Sequence, residues 1–164
     1  MKRLEKILSL IEPCKVLADI GTDHGKLPYM VLKYGLAEKV IATDISEDSL
    51  SKAAELLTAF NNSLTVKCSM LNVQYECRLG NGLSVLKHGE ADTVVITGMG
   101  ARTISGMLMT DIGAKRYILS PQSEVMKFRT FLNENNFKIL KEETVTDRKH
   151  TYIIFVCERT TNNK

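Results

Sequence analysis

The chain has 164 residues, 44% hydrophobic and 25% charged, which suits one globular domain and excludes a disordered tail. A formal net charge of +3 tolerates a polyanionic partner without demanding one. No run approaches the roughly 18 apolar residues of a membrane span, and the N-terminus lacks a signal-peptide pattern, so the expectation is a cytoplasmic protein without a membrane partner.

Residues 1–12 place Leu4, Ile7, Leu8 and Ile11 at helical spacing, predicting a short amphipathic helix over the core. "KVLADI" (15–20) reads as a buried strand, and "GKLPYMVLKYGLA" (25–37) as a helix with Leu27, Val31 and Leu32 inward and Pro28 in its first turn. "KVIATDI" (39–45) is a second strand. Ser46 then caps a helix over "EDSLSKAAELLTAFN" (47–61), with Glu47 and Asp48 at its positive end. Residues 62–72 predict a short element or a loop before the third strand, "VQYECRL" (73–79). "ADTVVITG" (91–98) and "KRYILS" (115–120) are strands, each followed by a helical pattern, over 100–112 and 123–136. Residues 137–159 hold two β-branched segments separated by "DRKH", an antiparallel pair, and the tail 161–164 reads as frayed. Cys14, Cys68, Cys77 and Cys157 lack metal-ligand spacing and read as buried free thiols, with no metal site.

Five strand–helix alternations demand a parallel sheet with right-handed crossovers and helices on both faces. Ending that sheet with a hairpin gives the class I S-adenosylmethionine-dependent methyltransferase arrangement, a Rossmann-like α/β fold. It is a mostly parallel seven-stranded sheet with a C-terminal antiparallel hairpin, in a single domain over 1–160. A dinucleotide-binding sheet would end on another parallel strand.

Ligands in such sheets sit beyond the carboxyl ends of the strands, where "DIGTDHG" (19–25) stands. Gly21 permits a sharp turn out of the first strand, and Gly25 is expected to let the next helix approach the ligand. Asp19 is placed to anchor the loop or receive a cation. Asp23 takes the place of the central glycine in D-x-G-x-G-x-G; a carboxylate there repels a pyrophosphate and attracts a sulfonium, favouring S-adenosylmethionine over a nicotinamide dinucleotide. Asp44, beside Ile45, either accepts hydrogen bonds from ribose hydroxyls or caps the next helix. Asn81 and Gly82 either meet an adenine edge or form a plain glycine turn. Gly98 and Gly100, around Met99, flatten the backbone where a planar base would slide in. Pro121 and Gln122 stand on the same rim, or only in a turn before a capped helix.

With these motifs in order, the chain resembles the tRNA (adenine(22)-N1)-methyltransferase family, the TrmK type. The resemblance rests on Ala18-Asp19-Ile20-Gly21-Thr22-Asp23-His24 with Leu27-Pro28, Gly80-Asn81-Gly82-Leu83, Gly98-Met99-Gly100 and Leu119-Ser120-Pro121-Gln122. The family has Asp where Asn81 stands and Gln-Pro-Asn where Ser120-Pro121-Gln122 stands, and its members continue into a helical, coiled-coil-like domain.

The resemblance implies methyl transfer from S-adenosylmethionine to N1 of an adenine in tRNA. N1 of neutral adenine carries a free lone pair, so no base need remove a proton first. Asp23 is then expected to stabilise charge moving onto the ring or to hold the N6 amino group, and His24 to bond the base or accept a later proton. Tyr29 is a candidate to stack on the base, with Met99, Pro121 and Gln122 also on the substrate side. Asp19, Gly21, Asp44, Ile45, Asn81, Gly82 and Gly98 are the cofactor candidates. Lys26, Lys33, Arg102, Lys127, Arg129, Arg148 and Lys149 are candidate RNA contacts. Other readings are a methyltransferase of another nucleic acid or small molecule, and a non-catalytic S-adenosylmethionine-binding protein.

Overall fold

In the first strand, β1 (Cys14–Ile20), Leu17 and Ala18 are both fully buried but belong to different apolar clusters, one on each face of the sheet. The computed structural model describes residues 2–67 and 73–161. A helix, α1 (Lys2–Leu10), precedes β1, and α2 (Lys26–Lys33), β2 (Ala37–Asp44), α3 (Glu47–Lys67) and β3 (Gln74–Leu79) follow it. The chain continues through β4 (Thr93–Thr97), α4 (Ala101–Leu108), β5 (Arg116–Ser120) and α5 (Val125–Glu134), and closes with the hairpin β6 (Phe137–Asp147) and β7 (His150–Arg159).

The sheet order is β3-β2-β1-β4-β5-β7-β6. Strands β1 to β5 pair in parallel, whereas β7 is antiparallel to both β5 and β6. This is the seven-stranded sheet with a terminal hairpin that the sequence predicts. Leu17, Val40, Val95 and Ile118 bury one face under Ile7 and Leu8 of α1, Leu27 and Val31 of α2 and Leu57 of α3. Ala18, Ile41, Ile96 and Leu119 bury the other under Ile104 and Leu108 of α4 and Phe128 and Leu132 of α5. Fully burying each large aliphatic side chain contributes about 1.5–3 kcal/mol, so these two layers supply the main stabilisation. Among the described residues, no helix is long and apolar enough to cross a membrane.

Local details follow the side chains. Ser46 caps α3 as expected, its Oγ accepting from the Ser49 amide at 3.3 Å. The helix runs to Lys67, beyond the expected end at 61, so part of the presumed loop is helical. Residues 68–72, with Cys68, lie outside the described residues, as do 162–164 of the tail. Cys14, Cys77 and Cys157 are free, but only Cys157 is buried. Burial pushes its thiol up to about 12. Cys14 and Cys77 are half-buried because one opens its strand and the other sits in the edge strand β3.

Gly25 does something other than expected. Its φ is +74°, and a Cβ there would stand 2.8 Å from both Cα and Cβ of Ala53. The missing side chain therefore seats the turn after β1 against α3, rather than admitting a ligand. Gly25→Ala combines left-handed strain with a backbone clash and should cost about 2–4 kcal/mol, read as a lower midpoint in urea unfolding with an unchanged slope.

Candidate functional site

A cavity of about 840 Å³ opens at the carboxyl ends of β1, β2 and β4. It lies where the strand order reverses, the position expected for a ligand in an open α/β sheet. Strand β1 contributes Asp19 and the turn after it Gly21 and Asp23; Asp44 ends β2 and Ile45 follows it on the wall. The loop after β3 supplies Asn81 and Gly82, and the loop after β4 supplies Gly98 and Met99. Gln122, after β5, completes the rim and is tied to it, its amide donating to the Met99 carbonyl at 2.8 Å. Gly98 has φ +80° and nothing within 4 Å of where a Cβ would stand, so the backbone there faces open space.

Three expected site residues are not on the wall. Asp23 and His24 both have left-handed backbones, φ 41° and 67°. That double turn sets the His24 ring beside Asp23, Nδ1 to Oδ1 3.6 Å, off the cavity. Lys52 lowers the pKa of Asp48 at the start of α3, with His24 adding a smaller contribution. Tyr29 meets Phe60 of α3 edge-on at 5.1 Å between centroids, because its position on α2 faces the neighbouring helix. It is a packing residue. Pro121 is buried behind the rim, and only its neighbour Gln122 reaches the cavity.

Asp44 is engaged through both of its carboxylate oxygens. Its Oδ1 accepts from the Ser46 amide at 2.9 Å and its Oδ2 from the Asp23 amide at 3.4 Å, so it braces two turns while lining the cavity. No side-chain hydrogen bond caps α2, so Asp23 is not spent as a cap. Asp19 is 3% exposed. Burial pushes its carboxyl up to about 7, the Thr22 hydroxyl opposing without reaching hydrogen-bond geometry and the Asp44 and Asp23 charges adding to the rise. The buried hydroxyls of Thr22 and Thr43 also line the cavity and have no hydrogen-bond partner among the described residues.

Sequence reasoning missed several wall residues. Thr22 lies inside the motif already singled out, where its type gave the available signal. Arg3, Leu4 and Ile7 bring α1 to the wall, and His150 and Tyr152 bring the hairpin beside Arg148, which was already a candidate RNA contact. Only tertiary contact joins those segments to the glycine turn.

The buried carboxyl makes stability depend on pH. Unfolded, Asp19 ionises near its ordinary value of 3.8; folded, it does so at about 7. Between those values the unfolded chain binds fewer protons, so the folded state loses stability as pH rises. Asp19→Asn removes the penalty, and the expected gain grows from under about 1 kcal/mol at pH 4 to about 4 kcal/mol at pH 8. Thermal unfolding of both proteins across that range measures it; a gain independent of pH would show that Asp19 ionises normally.

The methyltransferase domain model matches residues 1–155. The chain is 32% identical over 162 residues to the tRNA (adenine(22)-N(1))-methyltransferase of Bacillus subtilis (strain 168), covering 96% of this chain and 64% of that protein. It thus spans just under two thirds of the length of that curated relative. The crystal structure of the B. subtilis M1A22 tRNA methyltransferase TrmK matches with a TM-score of 0.85 at 28% identity, over 98% of this chain and 67% of that one. M. capricolum TrmK in complex with S-adenosyl-homocysteine matches with a TM-score of 0.83 at 28% identity, over 96% and 67%. The similarity runs through the segments that carry the cavity's glycine turns and carboxylates: the chain belongs to the methyltransferase domain family.

Proposed function

We propose that the chain transfers a methyl group from S-adenosylmethionine to N1 of an adenine in tRNA. The observation that carries this reading is the convergence of Asp19, Asp23 and Asp44 on one cavity at the switch point, in a chain similar to tRNA adenine-N1 methyltransferases along nearly its whole length.

The cavity fits the cofactor on its own chemistry. Three carboxylates suit a ligand bearing a sulfonium and an ammonium, and the orphaned Thr22 and Thr43 hydroxyls offer buried donors for its polar groups. Asp44, at the end of β2, is positioned for ribose hydroxyls, with Ile45, 74% exposed, as an apolar surface beside it. S-adenosylmethionine supplies a methyl carbon bonded to a cationic sulfur. The adenine N1 lone pair forms the new bond as the carbon–sulfur pair returns to sulfur, leaving a thioether and a cationic N1-methyladenine. Asp23, on the cavity wall with its side chain 84% exposed, is the group we assign to stabilising the charge that moves onto the ring. Open backbone at Gly98 leaves room for a planar base. Lys26 and Arg148 line the mouth and are suited to phosphates. Arg129 and Lys127 are instead engaged with Glu142 and Glu124.

The test is incubation with labelled S-adenosylmethionine and unmodified tRNA. Label in N1-methyladenine is expected; tight cofactor binding with label in no RNA would overturn the reading in favour of a binding protein or another acceptor. Asp23→Ala should lower kcat about 100-fold or more and weaken cofactor binding far less, because its carboxylate acts on the charge as it moves from sulfur onto the ring. Asp44→Ala should do the reverse, weakening cofactor binding at least about tenfold by calorimetry.

A further inference from the structure

With Tyr29 packed on Phe60, the acceptor base is left without the surface expected for it. Among the described residues, the aromatic side chains on the cavity wall are His150 and Tyr152, both near the start of β7. Tyr152 is half-buried, and one face of its ring carries the Arg3 guanidinium, 4.2 Å from the centroid. Arg3 is fixed in turn. Its Nη2 donates to the carbonyl and hydroxyl oxygens of Ser120 at 3.4 and 3.3 Å, and its main-chain amide donates to Asp147 Oδ2 at 3.2 Å. A ring held in this way has little rotamer freedom to lose when something lies on it.

Charge and sheet order say which end of the cavity this is. Asp44 stands at β2 and Asp19 and Asp23 at β1; Gly98 follows at β4, then Ser120 at β5 and Tyr152 at β7. Three of the four carboxylates on the wall therefore gather at one end, three strands from Tyr152, or about 14 Å at normal strand spacing; the fourth, Asp147, stands at the other end, where it accepts from the Arg3 amide. A donor whose sulfonium and ammonium outweigh its one carboxylate belongs at the end richer in acidic groups. The guanidinium repels it from the other, which is left for a neutral planar acceptor beside the open backbone of Gly98. We propose that Tyr152, held by Arg3, is the surface on which the acceptor base stacks, making α1 part of the acceptor site. This rests on the adenine-methylation reading above.

Stacking of one base on an aromatic side chain corresponds to about 10- to 100-fold in affinity. The experiment uses the full chain saturated with S-adenosyl-homocysteine, so that the donor site is closed, and adenosine at millimolar concentration. Nuclear Overhauser contacts between the adenosine base protons and tyrosine ring protons are expected in the wild type and absent when tyrosine is ring-deuterated. Tyr152→Leu should abolish the adenosine signal and cut label transfer to tRNA about 10- to 100-fold, and Tyr152→Phe should restore both. Unchanged S-adenosylmethionine binding shows that the variants are folded; the wild-type contacts, once assigned to Tyr152 among the five tyrosines, decide the matter even if one is not, and contacts to another tyrosine would overturn the platform. Adenosine contacts without label in tRNA would refute the tRNA reading and keep the platform. Normal transfer by Tyr152→Leu, or adenosine that touches no tyrosine ring, would overturn the platform and leave the tRNA reading standing.

Discussion

The order β3-β2-β1-β4-β5 sends successive connections away from β1 in one direction and away from β4 in the other. Right-handed crossovers then put α2 and α3 on one face and α4 and α5 on the opposite face. The two sets of loops diverge at the carboxyl ends of β1 and β4, and no element can fill the gap between them. Everything proposed for this protein depends on that opening. The turns around it follow from it: Gly21, Gly82 and Gly98 all have left-handed backbones, which let the chain leave each strand without a side chain blocking the cavity.

The opening sets an electrostatic cost that the rest of the molecule avoids. Elsewhere acids meet bases: Glu76 and Glu90 grip Arg78, Glu12 and Glu158 meet Arg116, and Glu142 holds Arg129. At the rim, among the described residues, Asp19, Asp23 and Asp44 form no ion pair with lysine or arginine, although one of them is buried. Two left-handed non-glycine residues and two orphaned hydroxyls lie in the same few ångströms of backbone. Unsatisfied acidity and backbone strain gathered in one turn are poor for stability and well suited to a cationic ligand.

The other wall has a different origin. Arg3 and Asp147 are 144 positions apart, yet α1 and the terminal hairpin meet over the end of β5. The antiparallel placement of β7 beside β5 makes this possible, because it brings the start of β7 to the same rim as the end of β5. An amphipathic helix that the sequence presents as a cover for the core thereby also closes the cavity, with Ile7 serving both. The domain is knit together by its two ends at the place where its chemistry is expected.

Strand and helix types were legible because their signals are local. Alternating runs of β-branched residues, the Ser46 cap and the two extended segments at the end each declare themselves within a few residues. The acidic glycine turn was legible too, since its residue types are rare together. What the sequence by itself determined was therefore the class of sheet and the residues of the rim: Asp19, Asp23, Asp44, Asn81, Gly98 and Gln122 all reach the cavity. The tertiary structure alone decided which way His24 and Tyr29 turn, and that Gly25 serves α3. It alone brought Arg3 to Tyr152. The reason is physical: a residue's type and local turn follow from neighbours in the chain, but its exposure and partners follow from elements packed against it from far away.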